Sequence, residues 1–350
     1  MTDQIPLHFK RRGLALAVLL GLALTAEANS PRDPVTSASC RAGYLGFEQG
    51  RGLEGLRLAA KQASQRGDEA ELGFLSERLT ELIGKDSAAA LQVVGWAETA
   101  TEPQLSLYLR AVREAEAVRE PPVAARLLSL AETGGEPGRQ VMALVALETQ
   151  HRLEPEPLER LTALAKQGGR APAVARHAVR TVGRVMETSF QRTGRLEPYV
   201  DTLLEVARTS PEPLARILAV EMLGYPDARL ESAAVTRLAT LMKQDPVPLV
   251  RELAALVLSS GRDPQAVLGH FREAFALEKE RCVRWALVRY AVRAAGAQAL
   301  PLLRDFARTD PRFQRDAADF QALYGAGHVD FNHVWMNKQV RHPTCEGGGP

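Results

Sequence analysis

Asp245-Pro-Val-Pro-Leu-Val-Arg251, running on into Glu-Leu-Ala-Ala-Leu-Val-Leu-Ser259, is the stretch from which the fold can be read. An aspartate side-chain oxygen can accept an orphan backbone N–H at a helix N-terminus, and a proline in the first turn sacrifices no hydrogen bond. Val250, Leu253, Ala254, Val257 and Leu258 then recur at helical spacing. The same unit stands at Ser210-Pro-Glu-Pro-Leu-Ala-Arg216, continuing Ile-Leu-Ala-Val-Glu-Met-Leu-Gly224, and at Glu280-Arg-Cys-Val-Arg284, continuing Trp-Ala-Leu-Val-Arg-Tyr-Ala-Val292. Looser copies start at Glu136, Ala171 and Asp310. Arg139, Arg176, Arg216, Arg251, Arg284 and Arg315 take equivalent places, 37, 40, 35, 33 and 31 residues apart. A period of this length is the signature of a repeat architecture.

Each such helix follows another amphipathic one, over 196–208, 230–243, 263–278 and 297–308. Neither helix of a pair can bury its apolar stripe alone, so neighbouring pairs must stack. Extending the spacing backwards predicts about eight antiparallel pairs over residues 52–324. First helices are expected to begin near 52, 86, 121, 156, 196, 230, 263 and 297, and their partners near 68, 103, 136, 171, 211, 246, 280 and 311. The fold expected is all-α, an α-solenoid. Composition agrees: hydrophobic residues are 45% and aromatics only 5%, a mix that suits helices packed through small and medium aliphatic side chains.

The repeat resembles the HEAT-repeat family in its short bacterial form, also found in phycobilin lyases, built on Asp-Pro-x-Pro-x-Val-Arg-x-x-Ala-Ala-x-x-Leu-Gly. The match is close at 245–259 and 210–224, partial at 280–292 and 310–323, and weak before residue 135. The resemblance implies a superhelix whose second helices line a concave face. It also implies that Asp245, Arg251, Arg216, Arg284, Asp310 and Arg315 bond between adjacent repeats. Arg284 has no aspartate six residues before it, which puts its part in that ladder in question.

Two segments flank the array. Lys10, Arg11 and Arg12, the apolar run Leu14–Thr25 and Ala26-Glu27-Ala28 read together as a signal peptide over residues 1–28. Twelve apolar residues span roughly 18 Å as a helix, short of the ~30 Å hydrocarbon core, so cleavage and export to the periplasm or beyond are expected, with no membrane anchor retained. Residues 29–51 read as a linker. Residues 325–350 read as a terminal cap, with Phe331, Val334 and Trp335 at helical spacing, followed by a tail ending Gly347-Gly348-Gly349-Pro350.

Candidate chemistry is thin. His328, His333, His342 and Cys345 are zinc-ligand types gathered in the tail, but their spacing matches no established zinc pattern. Nucleophile elbows, His-Glu-x-x-His and phosphate-binding glycine loops do not occur. His177 and His270 are single histidines on helices. The second-position helices carry net positive charge, which makes Arg180, Arg184, Arg281, Arg289 and Arg293 the candidate partner-binding residues, suited to a protein or an anionic polymer. Trp285 and Tyr290 beside them are expected in the core. A formal net charge of +2 argues against nucleic acid. No cofactor is expected. Three cysteines allow one disulfide at most. Cys282–Cys345 is more reachable than Cys40–Cys345, and a buried, unbonded Cys282 is the default. The reading is a non-enzymatic binding scaffold, with a lyase-type or metal-binding enzyme accessory as the alternative.

Overall fold

The computed structural model describes residues 52–167, 171–224 and 228–327. The signal-peptide and linker expectations, the weak metal candidates and the terminal cap from 328 onward lie outside them. The described residues form paired α-helices in chain order: α1 (Gly52–Arg66) with α2 (Glu69–Ile83), α3 (Ser87–Ala97) with α4 (Glu102–Glu114), and α5 (Pro121–Thr133) with α6 (Pro137–Leu147). Next come α7 (Pro155–Lys166) with α8 (Pro172–Thr193), and α9 (Tyr199–Thr209) with α10 (Pro213–Leu223). The last three pairs are α11 (Ser232–Gln244) with α12 (Pro248–Leu258), α13 (Pro264–Leu277) with α14 (Arg281–Ala295), and α15 (Leu300–Thr309) with α16 (Gln314–Gly325). Every helix starts within three residues of the place the repeat spacing predicts, the first two pairs included.

Each pair packs on the next. The second helices α2, α4, α6, α8, α10, α12 and α14 lie against one another in that order, and the first helices from α3 to α15 form a parallel row behind them. This is solenoid packing, with the core sandwiched between the two rows. Alanine, leucine and valine dominate that core. Toward the end it turns aromatic: Phe275 stacks on Phe306 with ring centroids 4.0 Å apart, and Phe313 meets Phe275 edge-on at 5.8 Å.

The Pro-x-Pro signature acts differently from its reading in sequence. The second proline, not the first, opens the helix: Pro213 and Pro248 are the first residues of α10 and α12. The residue before a proline is pushed to extended backbone, and Glu212 and Val247 are indeed extended there. Asp245 therefore sits two residues too early to cap α12. Its carboxylate accepts the Val247 N–H at 2.8 Å and holds the turn instead. Ser210 likewise braces a turn, its hydroxyl donating to the Ala165 carbonyl of the preceding pair at 3.0 Å.

Candidate docking face

The second-helix row is held by a repeated arginine motif. Arg216 lies 3.2 Å from Asp245, Arg251 2.7 Å from Glu278, and Arg284 3.0 Å from Asp310, each reaching into the following pair. Each arginine also donates to a backbone carbonyl six residues before itself: Ser210, Asp245 and Glu278, at 3.1, 2.8 and 2.7 Å. The doubt over Arg284 is thereby removed. The position six residues before it holds Glu278, and a glutamate serves where the motif has an aspartate.

Burial alone would favour the neutral acid at Glu278. The Arg251 guanidinium and the Glu280 and Lys279 backbone amides outweigh it and keep the carboxyl below its ordinary range. Asp310 is held lower still, by Arg312 first and Arg284 second, against the cost of burial.

Arg315 is a correction. Its side chain is 85% exposed and lies 4.0 Å from Asp319 on its own helix. A 3-10 turn over Pro311–Phe313 precedes α16 and shifts the register, so Phe313 turns inward and Arg312 takes Asp310. Upstream, the ladder stops. Among the described residues Arg176 donates within its own turn, to the Pro172 carbonyl, and the next acceptor position is Ser210, which has no carboxylate. Arg139 reaches back instead, to the Ala100 carbonyl at 3.0 Å.

The candidate partner arginines fall into two groups separated by α10 and α12. Arg180 and Arg184 sit at the seam of α6 and α8. Arg180 Nε is 3.2 Å from Glu148 Oε1, a charge contact without hydrogen-bond alignment, and Arg184 pairs with Glu187 at 2.9 Å. The Glu148 side chain is only 9% exposed. Burial pushes its carboxyl up, while Arg180, Arg113 and Arg184 pull it down less strongly. His177 beside them is pushed toward the neutral form by burial and then by Arg180 and Arg176, and its Nδ1 is buried without a hydrogen bond.

On α14, Arg289 lies over the rings of Trp285 and Tyr290, at 5.3 and 5.2 Å, and Arg293 donates weakly to the Leu256 carbonyl. Trp285 is buried, as expected, and Tyr290 packs against the core partly buried. None of Arg281, Arg289 and Arg293 is a free cation, since each already has a partner in the chain. Cys282 is a second correction: it is half-buried and disulfide-bonded rather than an inert core residue.

Between the two basic groups lies what sequence reasoning missed. Leu214, Ile217 and Leu218 form one stripe of α10, at i, i+3 and i+4, and all three are partly or fully exposed. Leu249, Leu253 and Leu256 form the matching stripe of the adjoining α12. Leu214 and Leu249 are each 46% exposed. The opposite arcs of both helices, Ala215, Ala219 and Val220 on α10 and Val250, Ala254 and Val257 on α12, are buried. Glu252, inside the stripe, has its carboxyl pushed up by burial. Isolated exposed leucines are ordinary on a protein surface, whereas a contiguous apolar patch marks an interaction site.

A separate cleft of about 450 Å³ lies in the first two pairs, lined by Arg57, Trp96, Gln104 and Tyr108 among others. Arg57 stands 5.2 Å over the Trp96 ring there. Among the described residues, no group of three or more His, Cys, Asp or Glu is placed to hold a metal ion, and no helix is long and apolar enough to cross a membrane. No protein-family model, curated protein or solved structure matches this chain.

Proposed function

We propose that this chain is an exported, non-enzymatic scaffold of HEAT-like helix pairs that binds a protein segment on its second-helix face. The observation that carries the reading is the pair of matched apolar stripes on α10 and α12, half-exposed on adjacent helices of a row whose other arcs are buried. A helix-in-groove contact of this kind takes an amphipathic partner segment, with apolar anchors at i, i+3, i+4 and i+7. Arg180, half-exposed at the seam of α6 and α8, favours an acidic residue at that end of the segment. Because the α14 arginines already have partners, the α10–α12 stripes take over from them as the centre of the surface. Export rests on the Lys10–Ala28 pattern.

Ile217, Leu218 and Leu253 also pack against the core, whereas Leu214 and Leu249 are the most exposed residues of the stripes, so changing these two should leave the fold intact. A double variant, Leu214→Asp with Leu249→Asp, is expected to retain the helical circular-dichroism spectrum and lose the protein that copurifies from its native extract. Thr236→Asp, on an exposed turn of the first-helix row, is expected to keep that protein. Equal recovery of the same protein with both variants would overturn the choice of face.

A further inference from the structure

The cleft in the first two pairs gathers polar groups that the solenoid itself does not use. Its α1 wall carries Arg57, Leu58 and Lys61, which share one helix face at i, i+1 and i+4. Leu58 is 51% exposed. The other wall is the turn between α3 and α4, with Gln104 and Tyr108 following one turn apart on α4. Thr101, at the N-cap of α4, makes no side-chain cap bond, so the first-turn amide of Gln104 is left uncapped. Arg139 takes the Ala100 carbonyl at 3.0 Å, which fixes the turn and removes an acceptor from the cleft. Glu102, at the start of α4, lies with its Oε1 beside Gly138 of α6.

Tyr108 points to a ligand. The residue is only 2% exposed and meets Trp96 edge-on, with ring centroids 5.5 Å apart. Buried hydroxyls are normally hydrogen-bonded, yet among the described residues that of Tyr108 has no such partner. It lies within the field of Arg57 and Glu54, which line the cleft, and burial keeps the phenol protonated, so it faces the cleft as a donor. Arg57 stands 3.6 Å from Glu54, which also accepts from the Gln92 amide at 2.8 Å. Among the described residues Lys61 has no carboxylate partner. Two cations against one carboxylate leave the cleft with one positive charge.

We propose that this cleft binds a small organic monoanion, a monocarboxylic acid with an apolar body. The carboxylate takes the Tyr108 hydroxyl, the Gln104 amide and the charge of Lys61, and the body lies against Leu58 beside Trp96. The N-terminal end of α4 adds to the attraction for an anion. A volume of about 450 Å³ is within the range of small-molecule sites. One net positive charge matches one carboxylate, whereas a phosphate dianion brings a second negative charge toward Glu54. The inference does not rest on the α10–α12 surface, from which the helices α5 to α8 separate it in the chain.

Isotope labelling of tryptophan in the full chain gives three indole signals for magnetic resonance, and Trp285→Phe and Trp335→Phe identify that of Trp96 by elimination. The probes are benzoate, 3-phenylpropanoate and hexanoate, with 3-phenylpropanamide and inorganic phosphate for comparison. At least one carboxylate is expected to shift the Trp96 signal saturably, binding about tenfold more tightly than the amide or phosphate. Lys61→Ala and Tyr108→Phe are each expected to weaken that binding several-fold. Neither should lower the thermal midpoint, because Lys61 is exposed and the Tyr108 hydroxyl supports no other group. No saturable shift of Trp96 with any of the carboxylates would overturn the site. Equal binding of the amide or of phosphate would overturn the ligand class, and undiminished binding by either variant would overturn the assignment of its residue to the site.

Discussion

At the scale of single residues, buried charge is where this protein concentrates its risk. Arg251 and Glu278 have side chains only 12% and 7% exposed, so removing one partner strands the other in a low-dielectric site. Breaking a buried pair in this way costs about 3–5 kcal/mol, whereas surface substitutions usually stay within about 0.5 kcal/mol. Glu278→Ala is accordingly expected to lower the urea midpoint sharply, and Arg315→Ala to leave it nearly unchanged. Equal effects would mean that the ladder does not bear on stability.

The pH dependence follows from the same carboxylates. Glu278 and Asp310 titrate below their ordinary values of 4.5 and 3.8 in the folded chain, so the unfolded chain binds protons first as the pH falls. Their contribution is complete above about pH 5 and is lost as the pH drops through the folded values. Glu148 and Glu252 are pushed the other way and gain stability on acidification, which partly offsets that loss. Asp310→Asn removes one depressed group, and its stability is expected to fall less steeply than the parent's below about pH 4. An identical slope in both proteins would contradict the assignment of Asp310.

At the scale of helices, legibility depended on which signal each residue carried. The Pro-x-Pro-x-x-Arg repeat announced the pairs, because prolines and spaced arginines are visible in any sequence. The ladder partners Asp245 and Asp310 were legible for the same reason. Glu278 was missed because only an aspartate was sought at its position. Arg315 was misplaced because a 3-10 turn consumes residues differently from an α-turn and leaves no clear mark in the apolar pattern. The stripes on α10 and α12 were hidden for a deeper reason. A helix that buries one apolar arc and presents another reads as uniformly apolar, and periodicity cannot tell which arc meets the core.

Close packing between α8 and α10 gives a prediction at this scale. A Cβ on Gly183 would lie 2.4–2.7 Å from the Met222 side chain, including its own Cβ. Gly183→Ala is therefore expected to cost about 1–3 kcal/mol by overpacking. Combined with Met222→Ala it should cost less than the sum of the two single changes, as coupled neighbours do. Strict additivity in urea unfolding would show that the two helices do not meet there as described.

At the scale of the whole molecule, stacking divides labour between the two rows. The ladder and the core fix the order of the second helices, and this is what brings the stripes of α10 and α12 side by side from positions 35 residues apart. Such a surface belongs to no single repeat, so it exists only while neighbouring pairs remain stacked. The role of the molecule then rests on whether that surface is used. A photo-crosslinking side chain placed singly at Leu214, Leu249, Leu253 and Leu256, and at Thr236 and Arg304 on the first-helix row, tests this most directly in the organism's own extract. The account predicts one shared protein adduct from the four stripe positions and none from the two first-helix positions. Adducts only at Thr236 and Arg304, or the same adduct at all six positions, would contradict it.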